Sequence, residues 1–443
     1  MFKKVLIANR GEIAIRIIRS CKELGIQTVS VHSDVDEESL HVKMSDESVC
    51  IGPAQATQSY LNIQRIVSAA EITGADAIHP GYGFLSENAS FVETLNKCGL
   101  KFIGPRKESM EVMGDKLRSK DFVKGLNIPI LESIRLEEID SATLKKVNKL
   151  GYPVLLKASA GGGGKGMSVV YEEANLEGTF KRLQREAYNA FGDGTIFIEK
   201  FLENPRHVEV QVLADQHGNV IHLGERDCSI QRKYQKVIEE APCPVLNDSQ
   251  RKKLWGYALE ITKKIKYDSV GTIEFLYDQN EKKFYFIEMN TRIQVEHPIT
   301  EQLTGVDLVS QQILIASGLK LKLKQSDIGF VGHSIECRIN AEDPVTYLPS
   351  PGHVDHYHRP GGPGVRVDDF IYTGYNISPF YDSLLSKVIV SARDRDQAIK
   401  RMSRCLDEII VGGIKTNIPM HQRILGSKEF SSGKYSTNFL NNF

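Results

Sequence analysis

A multidomain chain of α/β and α+β class is predicted, opening on a doubly wound parallel sheet and continuing in smaller and larger α+β units. Three observations predict it. The 443 residues exceed what one ordinary core holds, so two or three domains are expected. The first hundred residues alternate short apolar runs with helix-period segments, the rhythm of parallel βαβ units. Later segments pair apolar stretches across short turns, as strand hairpins do.

In order, Val5–Ala8 reads as a buried strand, and Ile13–Leu24 as a helix with Ile13, Ile17 and Leu24 on its apolar face. Thr28–Val31 is a second strand, Ile63–Ile72 a helix, Ala75–Ile78 a strand, Ala89–Lys97 a helix and Lys101–Ile103 a strand. This N-terminal domain is expected to span 1–104, followed by a helical linker over 105–128 that Pro129 closes. A small α+β unit is expected over 129–202 and a larger block over 203–443, with strands at Val208–Leu213, Thr272–Tyr277 and Lys283–Met289 and a helix at Ser249–Lys264. Ligands of a doubly wound sheet sit at the carboxyl ends of its strands. Two loops fall there, Asn9–Glu12 and His79–Gly83, and neither is the GxGxxG of a dinucleotide site.

Composition excludes several function classes. Lys+Arg and Asp+Glu both number 56, so no nucleic-acid or polyanion partner is indicated. No apolar run approaches the roughly 20 residues of a membrane span, and the start lacks a signal-peptide pattern, so a cytoplasmic protein is expected. The alternation Lys320–Lys324 reads as a solvated strand edge or loop. Seven scattered cysteines without a CxxC pair read as reduced thiols and imply no zinc site.

The stretch Phe286–Pro298 is the most informative. Glu288, Asn290, Arg292, Gln294 and Glu296 alternate, and an extended backbone would align them on one face. Carboxylates hold a hard cation, Arg grips an oxyanion, and a spare carboxylate takes a proton. An edge strand with a solvated face is the competing reading. Glu274 and Glu288 both interrupt apolar strands separated by a short turn, so a hairpin would bring two carboxylates together around a cation. Ala158–Met167 contains four successive glycines, Gly161, Gly162, Gly163 and Gly164, then Lys165 and Gly166. It is not a Walker A loop. Lying between the strands Pro153–Lys157 and Ser168–Val170, it reads as a flap at a hairpin tip, where backbone N–H groups approach phosphate. Lys157 ends an apolar strand and needs an anionic partner, for which phosphate would serve; Lys116, alone, reads as a surface lysine. The charge-dense run Glu225–Lys236 reads as a solvated face or loop, and His207 and Glu209 as surface residues of a strand.

Together, Ile7–Ala14, His79–Asn88, the glycine loop, Glu225–Ser229, Glu288–Pro298 and Ser334–Glu342 resemble the biotin carboxylases of the ATP-grasp superfamily over essentially the whole chain. The resemblance implies a pre-ATP-grasp domain, an ATP-grasp lid, and a C-terminal ATP-grasp and biotin carboxylase domain. In length the chain resembles the separate subunit of a bacterial-type acetyl-CoA carboxylase, which carboxylates carrier-bound biotin with ATP, bicarbonate and Mg²⁺ (or Mn²⁺). It implies that Lys116, Lys157 and the flap hold ATP phosphates, that Glu199, Lys200 and Leu202 form the adenine hinge, and that His207, Gln231 and Tyr234 lie near the nucleotide. Glu274 and Glu288, with Asn290 close by, would hold the metal. Lys236, Arg292, Gln294 and the Val295 backbone would hold bicarbonate, with Glu296 the base, Arg338 the stabiliser of the biotin enolate, and Tyr82 beside biotin.

Two positions depart from the family pattern: Tyr234 stands where His is frequent, and Lys165 where Arg is. No Met-Lys-Met biotinylation sequence occurs, so a separate biotin carboxyl carrier protein and separate carboxyltransferase subunits are expected partners. A homodimer is also implied, with Arg19, Glu23 and Arg366 at positions used in the family's interface. Acetyl-CoA, propionyl-CoA and pyruvate remain open as final acceptors. A different ATP-grasp ligase would share Lys116, Lys157, Glu274 and Glu288 without needing Arg338 or Tyr82. A regulatory subunit would be expected to have lost Glu296 or a metal carboxylate.

Overall fold

The computed structural model describes residues 1–136, 138–158 and 166–443. Its first sheet has five parallel strands in the order Glu47–Cys50, Gln27–His32, Lys4–Ile7, Ala77–His79, Lys101–Phe102. Alternation decides its two faces. Val5 and Ile7 pack on the helix Gly11–Glu23, while Leu6 packs with the helices Ile63–Thr73 and Ala89–Lys97. The sheet is doubly wound, as expected, and its strand order reverses beside Lys4–Ile7. The loops carrying Asn9–Glu12 and Pro80–Phe84 leave from the carboxyl ends there. Asn9 ties them together by donating from Nδ2 to the carbonyls of Pro80 and Tyr82, both at 2.7 Å.

The linker is two helices, Lys107–Gly114 and Lys116–Lys124. Asp115 separates them because its side chain caps the second, accepting from the amides of Leu117 and Arg118. A four-stranded antiparallel sheet follows, ordered Ser133–Leu136, Ile196–Lys200, Val154–Ala158, Met167–Val170. Val154 pairs with Val170 and Lys157 with Met167, so the two strands that flank the glycine segment form an antiparallel pair. Gly162, Gly163, Gly164 and Lys165 themselves lie outside the described residues.

The third sheet organises the rest. Eight antiparallel strands run in the order Lys283–Asn290, Val270–Asp278, Arg206–Ala214, Val220–Arg232, Gln235–Ala241, His333–Asn340, Leu384–Ala392, Val365–Asp369. The helix Asp248–Lys264 covers one apolar region and Arg395–Glu408 another. The lysines of Lys320–Lys324 lie exposed in a loop around buried Leu321, as expected. Among the described residues, no helix is long and apolar enough to cross a membrane. All seven cysteines are free.

Three expectations need correction. The charge run Glu225–Lys236 is not a solvated loop: 225–232 lie in one central strand, 233–234 make the turn and 235–236 begin the next strand, and Glu225, Arg226 and Asp227 are buried. Each of these three buried charges has an opposite partner, Arg251, Glu209 and Arg206 respectively, as burial requires. His207 and Glu209 are likewise buried. The strand carrying Glu288 ends at Asn290, and 291–296 form a turn leading into the helix His297–Thr304. The row of alternating polar groups is therefore half strand, half loop.

Gly332 enters the strand His333–Asn340 at φ +76°, and a Cβ there would lie 2.1 Å from the Ala392 carbonyl oxygen. Gly332→Ala is expected to destabilise by more than about 1 kcal/mol, read as a lowered thermal midpoint.

Candidate active site

A cleft of about 880 Å³ lies between the N-terminal sheet's loops, the four-stranded sheet and the eight-stranded sheet. Every described residue that the resemblance assigns to substrate, metal or catalysis lines it, except Gly166, whose neighbour Met167 does.

At one end stand the lysines. Lys157 lies 2.7 Å from Glu199 Oε2, and Lys120 bonds the other oxygen of the same carboxylate. The expected anion beside Lys157 is thus supplied by the protein. Burial would raise the Glu199 carboxyl, but Lys157 and Lys120 together hold it down to about 2. Lys116 donates to the Ala158 carbonyl at 3.3 Å; burial lowers its pKa, Glu288 opposes this, and Lys157 adds to it. Lys200 is tied to the carbonyls of Gly151 and Tyr152. Leu202 follows on the wall. Tyr234 and Lys233 make the two-residue turn between Val220–Arg232 and Gln235–Ala241, both at positive φ, which hangs Tyr234 half-exposed at the mouth.

The middle is built on strand register. Glu274 faces Glu288 directly across the hairpin and Glu209 across the other neighbour. The sequence expectation of paired carboxylates therefore holds. Glu288 is raised by burial and by the negative charges of Glu274 and Glu87, the state a divalent cation would relieve. Two hard oxygen donors with Asn290 nearby fit Mg²⁺. The clusters His207–Glu209–Glu274 and Glu209–Cys228–Glu296 also bring potential ligand atoms within 4.8 Å of one another. Both rely on Glu209, whose oxygens are already taken by Arg226 and Lys236. Glu274 is engaged too, by Lys236, Asn290 and Gln294; what favours the Glu274–Glu288 pair is Glu288, a buried carboxyl raised by neighbouring negative charge. Glu274 is depressed: burial opposes this, but Lys236 and His207 prevail. Gln231 donates to His207 Nδ1 at 3.0 Å, which leaves Nε2 to face Glu274 at 3.0 Å.

At the other end, the Lys236 ammonium is shared by three carboxylates: Glu209 at 2.6, Glu274 at 2.9 and Glu296 at 2.6 Å. The second oxygen of Glu296 receives Arg338 Nη2 at 2.9 Å. Burial would raise Glu296, yet Lys236, Arg338 and Arg226 keep it well below the usual range, so its carboxyl is ionised. Arg338 Nε reaches Glu239 at 2.6 Å. Gln294 donates to Glu274 at 2.7 Å, and Asn290 to the same oxygen at 2.8 Å. Arg292 pairs with Glu87 at 2.9 Å and with Asn290 Oδ1 at 2.8 Å. Lys387 holds the Val295 carbonyl at 2.8 Å. The Tyr82 hydroxyl donates to Glu12 from the N-terminal sheet's loop.

Sequence reasoning missed Glu87, Lys120, Glu209, Arg226, Glu239 and Lys387. Arg226 is the most consequential. All five of its donors are used, on Glu209, Gln211, Thr300, Thr272 and Gln294. Its only sequence signal is a charge density that reads equally as surface. Arg366, nominated for an interface, pairs internally with Asp368 and Glu301. Arg19 is half-buried and Glu23 exposed on the helix Gly11–Glu23.

The chain matches three family descriptions: Biotin carboxylase, N-terminal domain, over residues 1–110; Carbamoyl-phosphate synthase L chain, ATP binding domain, over 115–324; and Biotin carboxylase C-terminal domain over 336–442. It is 53% identical over 442 residues to the biotin carboxylase of Pseudomonas aeruginosa, covering 99% of this chain and 98% of that protein. It is 50% identical over 445 residues to a pyruvate carboxylase subunit of Methanothermobacter thermautotrophicus, covering 100% of this chain and 90% of that one. Its fold matches the biotin carboxylase domain dimer of Hydrogenobacter thermophilus 2-oxoglutarate carboxylase, solved with MgADP, ADP and bicarbonate. There the TM-score is 0.96 and identity 49%, with 100% of this chain and 98% of that chain covered. The chain belongs to the biotin carboxylase family of ATP-dependent ligases.

Arg226→Met should leave Glu209 short of a donor in a fully buried site and destabilise by about 3–5 kcal/mol, measured by urea unfolding.

Proposed function

We propose that this chain carboxylates biotin on a carrier protein, using ATP and bicarbonate, as the first half-reaction of an acetyl-CoA carboxylase supplying fatty acid synthesis. One observation carries the reading. Glu296 offers one carboxylate oxygen to Lys236 and the other to Arg338, so a single base joins an anion-holding lysine to a fixed guanidinium.

Lys116 and Lys157 hold the ATP phosphates, with the flap through Gly166 above them and the Glu199–Leu202 segment against adenine. His207, Gln231 and Tyr234 flank the nucleotide. Glu274 and Glu288, with Asn290 beside them, would hold a divalent ion, whose charge would neutralise the phosphates. Lys236, Arg292, Gln294 and the Val295 backbone hold bicarbonate. Glu296 takes its proton, and the freed electron pair on oxygen attacks the γ-phosphorus as ADP leaves. The carboxyphosphate so formed breaks down to CO₂ and phosphate. That phosphate accepts the proton of biotin N1, and the ureido nitrogen then attacks CO₂. Arg338 meets the charge on the ureido oxygen. Tyr82, its hydroxyl committed to Glu12, offers its ring to biotin.

The partners on this reading are a biotin carboxyl carrier protein, carboxyltransferase subunits and a second copy of the chain, in the cytoplasm. The 53% identity to a biotin carboxylase, over 98% of that protein, supports the biotin half-reaction; acetyl-CoA as acceptor rests on the chain's resemblance in length to the separate subunit of an acetyl-CoA carboxylase. The 50% identity to a pyruvate carboxylase subunit keeps pyruvate as the second reading. Assembly of the full chain with its own carrier and transferase, assayed on each acceptor, decides between them.

ADP release should require bicarbonate and be stimulated by biotin; release indifferent to free and carrier-borne biotin alike would sink the proposal. Arg338→Ala should abolish biotin carboxylation yet spare much of any biotin-independent, bicarbonate-dependent ATP cleavage. Glu296→Ala should lower both activities, by about 10²–10⁴-fold.

A further inference from the structure

Behind Arg338 lies a pair of acidic side chains that the chemistry above does not use. Glu239 and Glu336 stand directly opposite each other on the adjoining strands Gln235–Ala241 and His333–Asn340. Opposite residues of an antiparallel pair share a face, with Cβ atoms about 4.5–5.5 Å apart. Both residues are 0% exposed. Glu239 is anchored through one oxygen, which accepts from Arg338. Its other oxygen and both oxygens of Glu336 have no hydrogen-bond partner among the described residues.

An ionised carboxylate without a donor in a dry interior is strongly disfavoured and takes up a proton instead. Two adjacent ones cannot both remain charged, and they titrate as a unit. The surroundings favour the same outcome. Arg338, on the same strand as Glu336, is already shared with Glu239 and Glu296. Lys387, across the next strand, is committed to the Val295 carbonyl and to Glu12. Lys236 is held by its three carboxylates. Cys228 and Cys337 are buried thiols pushed well above their usual value by burial, and His297 is kept neutral by burial. None donates to Glu336.

We propose that Glu336 is a positioning residue: it keeps a proton at neutral pH, so that Arg338 faces one buried carboxylate on that side and keeps net positive charge for the biotin oxygen. Burial, followed by the competing pull of Arg338 and the push of Glu296, places Glu239 at about 7, and burial places Glu336 well above the ordinary carboxyl value. Glu336 is the member that no donor holds in its ionised form. It acts through Glu239 and Arg338 without touching substrate. Ionisation of Glu336 would put a third carboxylate around one guanidinium and draw it back from the cleft. The inference rests on the assignment of Arg338 to the biotin half-reaction.

The first test is independent of activity. Infrared spectra of the full chain in D₂O at neutral pH should show a protonated carboxylic acid C=O band that Glu336→Gln removes. Glu336→Leu, equally uncharged, serves if the Gln variant does not fold. The second test is kinetic. Glu336→Gln should keep biotin-dependent turnover within about two-fold at neutral pH. Its loss of biotin-dependent activity on raising the pH should lie at higher pH than in the wild type, since the variant has no proton to lose there. Bicarbonate-dependent ATP cleavage should follow the same pH profile in both. An unchanged infrared spectrum, or a ten-fold loss of biotin turnover with ATP cleavage intact, would overturn the inference. A wrong assignment of Arg338 would show separately, as Arg338→Ala retaining biotin carboxylation.

Discussion

The ammonium of Lys236 is the interaction on which the rest of the site depends. Three carboxylates from three different segments converge on one nitrogen, Glu209 from one strand, Glu274 from the next and Glu296 from the loop beyond. Without that cation they would repel one another in a buried space, with only Arg226, His207 and Arg338 at their other sides to offset it. With it, the loop 291–296 is fastened to the sheet at its far end, while Arg292 fastens its near end to Glu87. Burial and Coulomb attraction act in opposite directions on Glu274 and Glu296, and the pairing wins for both.

That constraint explains the shape of the eight-stranded sheet. The hairpin from Val220 to Ala241 runs through its centre with Arg226 and Lys236 on it, so the cations are delivered from the middle and Glu209 and Glu274 from the two strands on one side. Arg226 bonds side chains on both neighbouring strand Arg206–Ala214 and on Thr272, Gln294 and Thr300 beyond. A guanidinium with five fixed donors can do this where an ammonium cannot. The same logic continues across the sheet through Arg338 and Lys387, which are register partners, to Asp368.

What the sequence made legible was local. Apolar runs and helix periods located most N-terminal elements to within a few residues, because short βαβ units carry their periodicity in contiguous stretches. Glu274 and Glu288 were legible as a pair because a tight hairpin fixes register within one segment. The chemistry of Glu288–Glu296 was legible too, but its backbone was not: alternation implied one strand, whereas the chain turns after Asn290 to start the helix His297–Thr304. Glu225–Lys236 failed for a different reason. A buried charge looks like a surface charge until its partner is known, and the partners of Arg226 lie up to 74 residues away. Glu87 and Arg292 are 205 residues apart, which no local pattern announces.

The pairing also bears on how such a site works. Cations assigned to anionic substrates already hold carboxylates of the protein: Lys157 holds Glu199, Arg292 holds Glu87, and Lys236 and Arg338 both hold Glu296. Binding of an anion is then an exchange of partners with little net desolvation of a naked charge, which keeps the cost of burying the cations low before substrate arrives. The exchange has a direction. While Lys236 sits on Glu296 the carboxylate is a weak base, because the ammonium stabilises its ionised form. On the proposed reading, bicarbonate draws Lys236 to itself, and Glu296 loses its strongest electrostatic partner at the moment its substrate is in reach. Its basicity then rises only when there is a proton to take. The same carboxylate, released from one cation, remains bound to Arg338, so the base stays aimed while its strength changes.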